Sequence, residues 1–232
     1  MLIFTSLPHN VPGAEMRLAR CANFQTMSRY YAAALLLLLP VLNRFLPYSA
    51  SQQVEFQLAE DSRLYIKGTS NVTDFTCHCV ESFPKATAYI TESGNRIRFA
   101  KTALQIRTKK LDCGNKPMNN DMYNTLKAND YPHIQMALLE TRRPAGSFLQ
   151  NKNSWTTLDA TLEITIAGVT RKELVPVQGR KTDADFYRFK GSKTLLMTNY
   201  GLKPPRALMG LIKVSDEIEI ELDLRMQVLA AM

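Results

Sequence analysis

The stretch DCGNKPMNNDMYNTLKANDYPHI, residues 112–134, decides how the rest of the chain is read. Pro117 suits a first helical turn, where its missing N–H is no loss. Met118, Met122 and Leu126 recur every four residues and so share one helix face. Asn129-Asp130 stops the helix, and Tyr131-Pro132 forces an extended exit, because the residue before a proline is pushed out of the helical region. The spacing predicts one short helix over 117–127 in a chain that otherwise reads as strands. A lone amphipathic helix needs an apolar surface to cover. Strands on both sides supply one, so the helix is expected to be a lid or plug on a β-barrel.

Working outward, two segments alternate almost without fault. In 157–166, Leu158, Ala160, Leu162, Ile164 and Ile166 take one face, and Thr157, Asp159, Thr161, Glu163 and Thr165 the other. In 213–226, Val214, Ile218, Ile220, Leu222, Leu224 and Met226 oppose Lys213, Glu217, Glu219, Glu221, Asp223 and Arg225, with Asp216 the one polar intruder on the apolar side. Period-two alternation of this length means half-buried antiparallel strands with water on one face. Paired acids such as Glu217 and Glu219 then belong to a solvated face, not to an acid/base pair. Shorter alternations lie around Leu64 and Ile66, Ile97 and Phe99, 103–108, Ile134 to Leu138, and 186–197. Turn signals fall at Glu60-Asp61, Ser93-Gly94-Asn95, Pro144-Ala145-Gly146, Ala167-Gly168 and Thr182-Asp183. Many strands with short connections fit a sandwich or an up-and-down barrel, and periodicity alone does not choose between them.

The N-terminal part reads differently. AAALLLLLPVL, residues 32–42, is an apolar run of signal-peptide length, too short to span a bilayer comfortably. Arg29 precedes it, and Ser49-Ala50-Ser51 offers small residues for cleavage after Ala50 or Ser51. About thirty residues without periodicity stand in front of the run, and Met27 sits where a leader should begin. The reading is an upstream extension over 1–26, a signal peptide over 27–51 and one domain over 52–232, in the periplasm or secreted. An uncleaved anchor is the competing reading. The formal charge of +8 falls to +5 once Arg17, Arg20, Arg29, Arg44 and Glu15 are set aside. The remaining basic residues are scattered, without a stripe of interleaved aromatics, so nucleic acid is not an expected partner.

Export changes the meaning of the cysteines, since disulfides persist in oxidising compartments. Cys77, Cys79 and Cys113 follow the leader, and Cys21 lies before it. A bridge from Cys77 or Cys79 to Cys113 would close a loop worth roughly 3–4 kcal/mol on the chain-entropy account. Cys77-His78-Cys79 in a strand puts the two thiols on one face and the imidazole on the other, which does not suit a metal. No Gly-x-Ser-x-Gly, HExxH or phosphate loop is present in the sequence, and the histidines have no nucleophile or carboxylate at motif spacing. An enzyme is not expected, and neither is a metal or a cofactor other than an apolar ligand. Asn71-Val72-Thr73 fits a glycosylation acceptor but reads better as a turn.

Four blocks carry a family resemblance: RLYIKGTSNVTDFTC (63–77), the helix block with Asn119-Asn120-Asp121-Met122 and Tyr131-Pro132-His133-Ile134, ITIAGVTRKEL (164–174), and TNYGLKPPRALMGLIKVSDEIEIELDL (198–224). In order and spacing they resemble the YceI-like family, in its cysteine-containing Bacteroidetes-type branch. The family commonly has an Arg-Asp pair followed by His in the helix. Here Asn120 and Met122 replace the Arg and the His, and Asp121 alone matches. The resemblance implies an all-β, antiparallel, lipocalin-like barrel with one capping helix, holding a polyisoprenoid or similar lipid. It favours Cys77 as the partner of Cys113, leaving Cys79 as the spare thiol. With the small or flexible inward positions Ala86, Ala88, Ala160, Met136 and Met197, it gives an expected ligand-binding set. That set is Phe75, Phe99, Met118, Met122, Tyr123, Leu126, Tyr131, Met136, Ile164, Met197 and Tyr200. Transient membrane contact and a homodimer are compatible with that reading. The alternative is a packed structural or partner-binding domain without ligand.

Overall fold

The alternating segments become strands in a computed structural model that describes residues 51–143 and 154–231. The upstream extension, the leader up to Ala50, Cys21 and the Pro144-Ala145-Gly146 turn lie outside the described residues. The strands are β1 (Ser51–Leu58), β2 (Arg63–Ser70), β3 (Asp74–Cys79), β4 (Ala86–Ser93), β5 (Arg96–Ala100), β6 (Ala103–Arg107), β7 (Leu111–Asp112), β8 (His133–Arg142), β9 (Thr156–Ile166), β10 (Val169–Lys181), β11 (Phe186–Leu196), β12 (Arg206–Ala207) and β13 (Ile212–Ala231). A helix, α1 (Lys116–Thr125), joins β7 to β8. Every pairing is antiparallel.

The sheet returns to itself. β1 pairs with β4 on one edge and with β13 on the other, so the order β1-β4-β5-β8-β9-β10-β11-β13 is a closed ring. Along that ring, closure removes the exposed edges that would otherwise invite aggregation. The long β13 makes it possible. One of its edges serves β11, and the other serves β2 over Val214 to Asp223 and then β1 from Met226 onward. Where β2 lies, the wall continues into β3 and β7. On the far side β6 holds β8. Among the described residues no ladder joins β6 to β7. The chain crosses between them in the short turn Thr108–Lys110, and α1 lies against that crossing.

Local chemistry fixes these pieces. Asn115 caps α1, its side chain accepting from the Met118 N–H at 2.9 Å. The helix ends at Thr125, two residues before the expected end, and Lys127 then takes a left-handed φ of 52°. The β9–β10 hairpin turns on Ala167 and Gly168, with φ of 48° and 80°, the two-residue turn whose twist matches its strands. Asp216, the polar intruder on β13, sits where the ladder to β2 slips between Val214 and Ile218. There it accepts from the Thr198 N–H and hydroxyl at 2.9 and 2.6 Å. Outward charges pair across strands, Lys67 with Glu221 and Arg188 with Asp223. Cys77 and Cys113 form a disulfide across 36 positions and are buried, while Cys79 is free.

The interior has two unlike halves. Beside α1, the core is dense: Ile106, Leu111, Ile164, Val175 and Tyr200 are buried almost completely. Toward the other end the inward face passes through Phe56, Ile90, Phe99, Val177, Phe189, Leu224 and Met226, all only half-buried. Val54, Ile97 and Leu158 on the same face are buried, as are its small members Ala88, Ala160 and Gly179. Cross-strand partners share a face, as Ile90 and Phe99, Phe189 and Leu224, and Gly179 and Phe189 do.

Candidate functional site in the barrel interior

At the junction of the two halves lies a cavity of about 10 Å³, the space of about one water. Its wall is made by Met136 of β8, Leu162 and Ile164 of β9, Val175 of β10, Gly191 to Lys193 of β11, and Ile220 and Leu222 of β13. All but Ser192 and Lys193 are apolar or glycine. Gly191 is closely packed, since a Cβ there would come within 3.2 Å of Val177 Cγ2 and 3.3 Å of the Pro176 carbonyl oxygen.

One polar group interrupts this surface. Lys193 Nζ lies 3.1 Å from Glu173 Oε2 and donates to the Leu174 carbonyl at 3.2 Å. The Tyr200 hydroxyl donates to Glu173 Oε1 at 3.5 Å. Burial pushes the Tyr200 phenol up to about 12, and the charge of Glu173 and the hydrogen bond to it act in the same direction. Sequence reasoning missed Glu173 and Lys193. Their alternation with Leu174 and Thr194 was a usable signal, because it sets two charges on the inward face of neighbouring strands.

The expected ligand set is scattered by the structure. Met136 and Ile164 line the cavity. Met197 and Tyr200 are buried in the core beside it. Phe75 packs against that core, its ring filling the space over Gly68, opposite it on β2. Phe99 lies on the half-buried inward face. Met118, Met122 and Leu126 pack on the dense half. Tyr123 turns its hydroxyl to the backbone, donating to the carbonyls of Leu111 at 2.8 Å and Lys109 at 3.2 Å, and so anchors α1 over the β6–β7 crossing. Tyr131 is exposed and covers the β9–β10 turn, where a Cβ on Gly168 would fall 2.6 Å from its ring.

Asn119 is the one helix residue whose surroundings differ from the amphipathic pattern. The pattern gives it to water, but it is half-buried. Its Oδ1 accepts from the Cys113 N–H at 2.7 Å, and its Nδ2 donates to Asp112 Oδ1 at 2.9 Å. It therefore clamps the disulfide segment to α1. The bond from Asn119 Nδ2, with that from the Gly114 N–H, holds the Asp112 carboxyl below its ordinary range. Burial pushes the free Cys79 thiol up. Cys77 and Cys113 are spent on each other, and His78 faces the Tyr65 ring on the other side of β3. Among the described residues no group of three His, Cys, Asp or Glu is placed to hold a metal.

A closed antiparallel sheet with an apolar inward face, small residues at intervals and a helix against the β6–β7 crossing defines an antiparallel β-barrel with one capping helix. The chain belongs to the YceI-like family, whose domain model matches residues 51–226. Among solved structures it is similar to a polyisoprenoid-binding domain from Saccharophagus degradans implicated in plant cell wall breakdown. The identity is 12%, the match covers 75% of this chain and 98% of that one, and the TM-score is 0.53. Burkholderia cenocepacia BcnA matches at 14% identity over 75% of this chain and 95% of its own, with a TM-score of 0.42. The Campylobacter jejuni YceI protein matches at 14% identity over 62% and 80%, with a TM-score of 0.41. At these identities the likeness is one of fold. No curated protein matches the chain.

Proposed function

We propose that the protein is an exported, non-enzymatic carrier that holds an isoprenoid or similar apolar chain inside its barrel. The observation that carries this reading is the unevenly filled interior. Phe56, Ile90, Phe99, Val177, Phe189, Leu224 and Met226 form an inward apolar face that the protein's own side chains leave half-covered. Apolar surface left in water costs about 25 cal/mol per Å², so a chain-like ligand lying along that face is favoured. The Saccharophagus degradans domain of similar fold binds a polyisoprenoid, which supports the same ligand class here. A half-buried apolar face with one bonded charge pair suits binding better than group transfer.

One observation favours the competing reading of a packed domain: the cavity has room for about one water, whereas pockets for drug-sized ligands run to roughly 300–1,000 Å³. On the carrier reading the half-covered inward face opens around its ligand. Native mass spectrometry of protein purified from its own host separates the two. A co-purifying apolar mass, or uptake of added isoprenoid, is the expected result; apo protein that takes up neither defeats the carrier reading.

Export is supported by the leader pattern and by a disulfide of the kind that persists in oxidising compartments. N-terminal sequencing of the protein from the cell exterior or periplasm is expected to begin at Ser51 or Gln52. Mature protein beginning at Met1 would refute both the leader and the export.

A further inference from the structure

β10 and β11 run for thirteen and eleven residues, yet their ladder spans five opposed pairs, from Val177 opposite Gly191 to Lys181 opposite Tyr187. Past that point each strand keeps its other neighbour. β10 stays on β9 as far as Val169, and β11 stays on β13 as far as Leu196. The wall therefore carries a seam between residues 173–176 and 192–196. Its cause is legible. The Pro176 carbonyl is turned toward β11, 3.3 Å from where a Gly191 Cβ would stand. A strand residue directs its N–H and C=O to the same neighbour, so the N–H that proline lacks is missing from the β11 edge.

The seam is bridged by a side chain. The Leu174 carbonyl, two residues along the same edge, accepts from Lys193 Nζ at 3.2 Å, and the same ammonium lies 3.1 Å from Glu173. Behind the seam is the cavity, whose wall includes Val175, Gly191, Ser192 and Lys193 from its two sides. In front of it, Leu174 and Leu196 expose 61% and 38% of their surface. A break in backbone pairing, an apolar lip outside, an apolar cavity inside and a bridging ammonium between them coincide at one place in the barrel.

We propose that this seam is a lateral portal, through which an apolar chain passes between β10 and β11 into the barrel, and that Lys193 is its latch. The proposal rests on the carrier reading above. Lys193 is partly exposed on a long flexible stem, so its ammonium can leave Glu173 and the Leu174 carbonyl for water without unfolding either strand. An uncharged chain is the occupant the lip fits, because Leu174 and Leu196 offer it contact and the Glu173–Lys193 pair is neutral as a unit.

The test is stopped-flow fluorescence of the full exported chain with dansyl-labelled farnesol. Lys193→Met is expected to raise both the association and the dissociation rate about tenfold, the order expected for losing a hydrogen bond to a charged group. Kd should stay within about threefold, since both rates move together. Pro176→Thr returns the missing donor to the edge, and is expected to slow both rates and to slow amide exchange at Thr194. Rates unchanged in both variants overturn the portal. Should Lys193→Met not fold, Glu173→Gln and Pro176→Thr carry the same test. Wild-type protein that takes up no probe defeats the carrier reading itself; wild-type protein that binds, with rates indifferent to these changes, defeats the portal alone.

Discussion

Tyr200 is among the largest side chains the fold buries completely, and it takes a hydroxyl with it. Its partner is Glu173, which holds the phenol protonated because a phenolate beside that carboxylate would be both buried and repelled. The consequence for stability has a definite sign. An unfolded tyrosine ionises near about 10, and the folded one near about 12. Stability from this residue is therefore whole below pH ~10 and declines as pH rises toward ~12, where the unfolded state has already lost its proton. An absorbance titration of phenolate is expected to show a late step that Tyr200→Phe removes, together with a flatter loss of stability at high pH. A late step that persists in Tyr200→Phe assigns it elsewhere. None of this was legible in the sequence, because Tyr200 and Glu173 are 27 positions apart and meet only through the β10–β11 region. The bonds of Asn119 were hidden for the same reason: a polar residue in an early helical turn gives no sign of burial until Asp112 and Cys113 fold back onto it.

The helix was the most legible element, because its signals are local: a proline in the first turn, apolar residues every fourth position, and an extended Tyr-Pro exit. Its place as a cap with Met118, Met122 and Leu126 turned to the barrel was legible as well, but the part of the interior it covers was not. α1 lies against the β6–β7 crossing, and Met118 and Met122 pack on the dense half of the core, away from the half-buried face. A packed Met122 makes a distinct prediction. Met122→Ala is expected to cost about 1–3 kcal/mol in denaturant unfolding, below the range for a fully buried methionine because this one is half-buried. Isoprenoid retention, scored after refolding conditions are matched, should be unchanged. Met122→Asp, with a charge pressed against the core, should cost more; Asp at the exposed Asn120 is the control, since Asn119 is not free. A shift in ligand length preference with little loss of stability would move this helix into the binding site.

At the scale of the whole molecule, alternation along single strands announced an antiparallel sheet but not its closure. Closure depends on β13 running past β2 to pair with β1 while its other edge stays on β11, which a period-two count along one strand does not record. The same closure divides the interior into a dense half around Ile106, Leu111 and Ile164 and a half-covered one around Phe56, Phe99 and Leu224. Local opening free energies follow buried contact density, so the two halves should not open alike. In hydrogen exchange of the apo protein, amides of β4 and β5 are expected to exchange well before those of β9 and the part of β13 that pairs with β2. An isoprenoid bound along the half-covered face buries the apolar surface of β4, β5 and β11, and should raise protection there more than in the dense half. The disulfide between Cys77 and Cys113 lies in the dense half, so reducing it should lower global stability while leaving the early-exchanging amides of β4 and β5 where they were. Uniform protection across the barrel without ligand, or a ligand-induced gain confined to the strands around α1, would place the binding face in the other half.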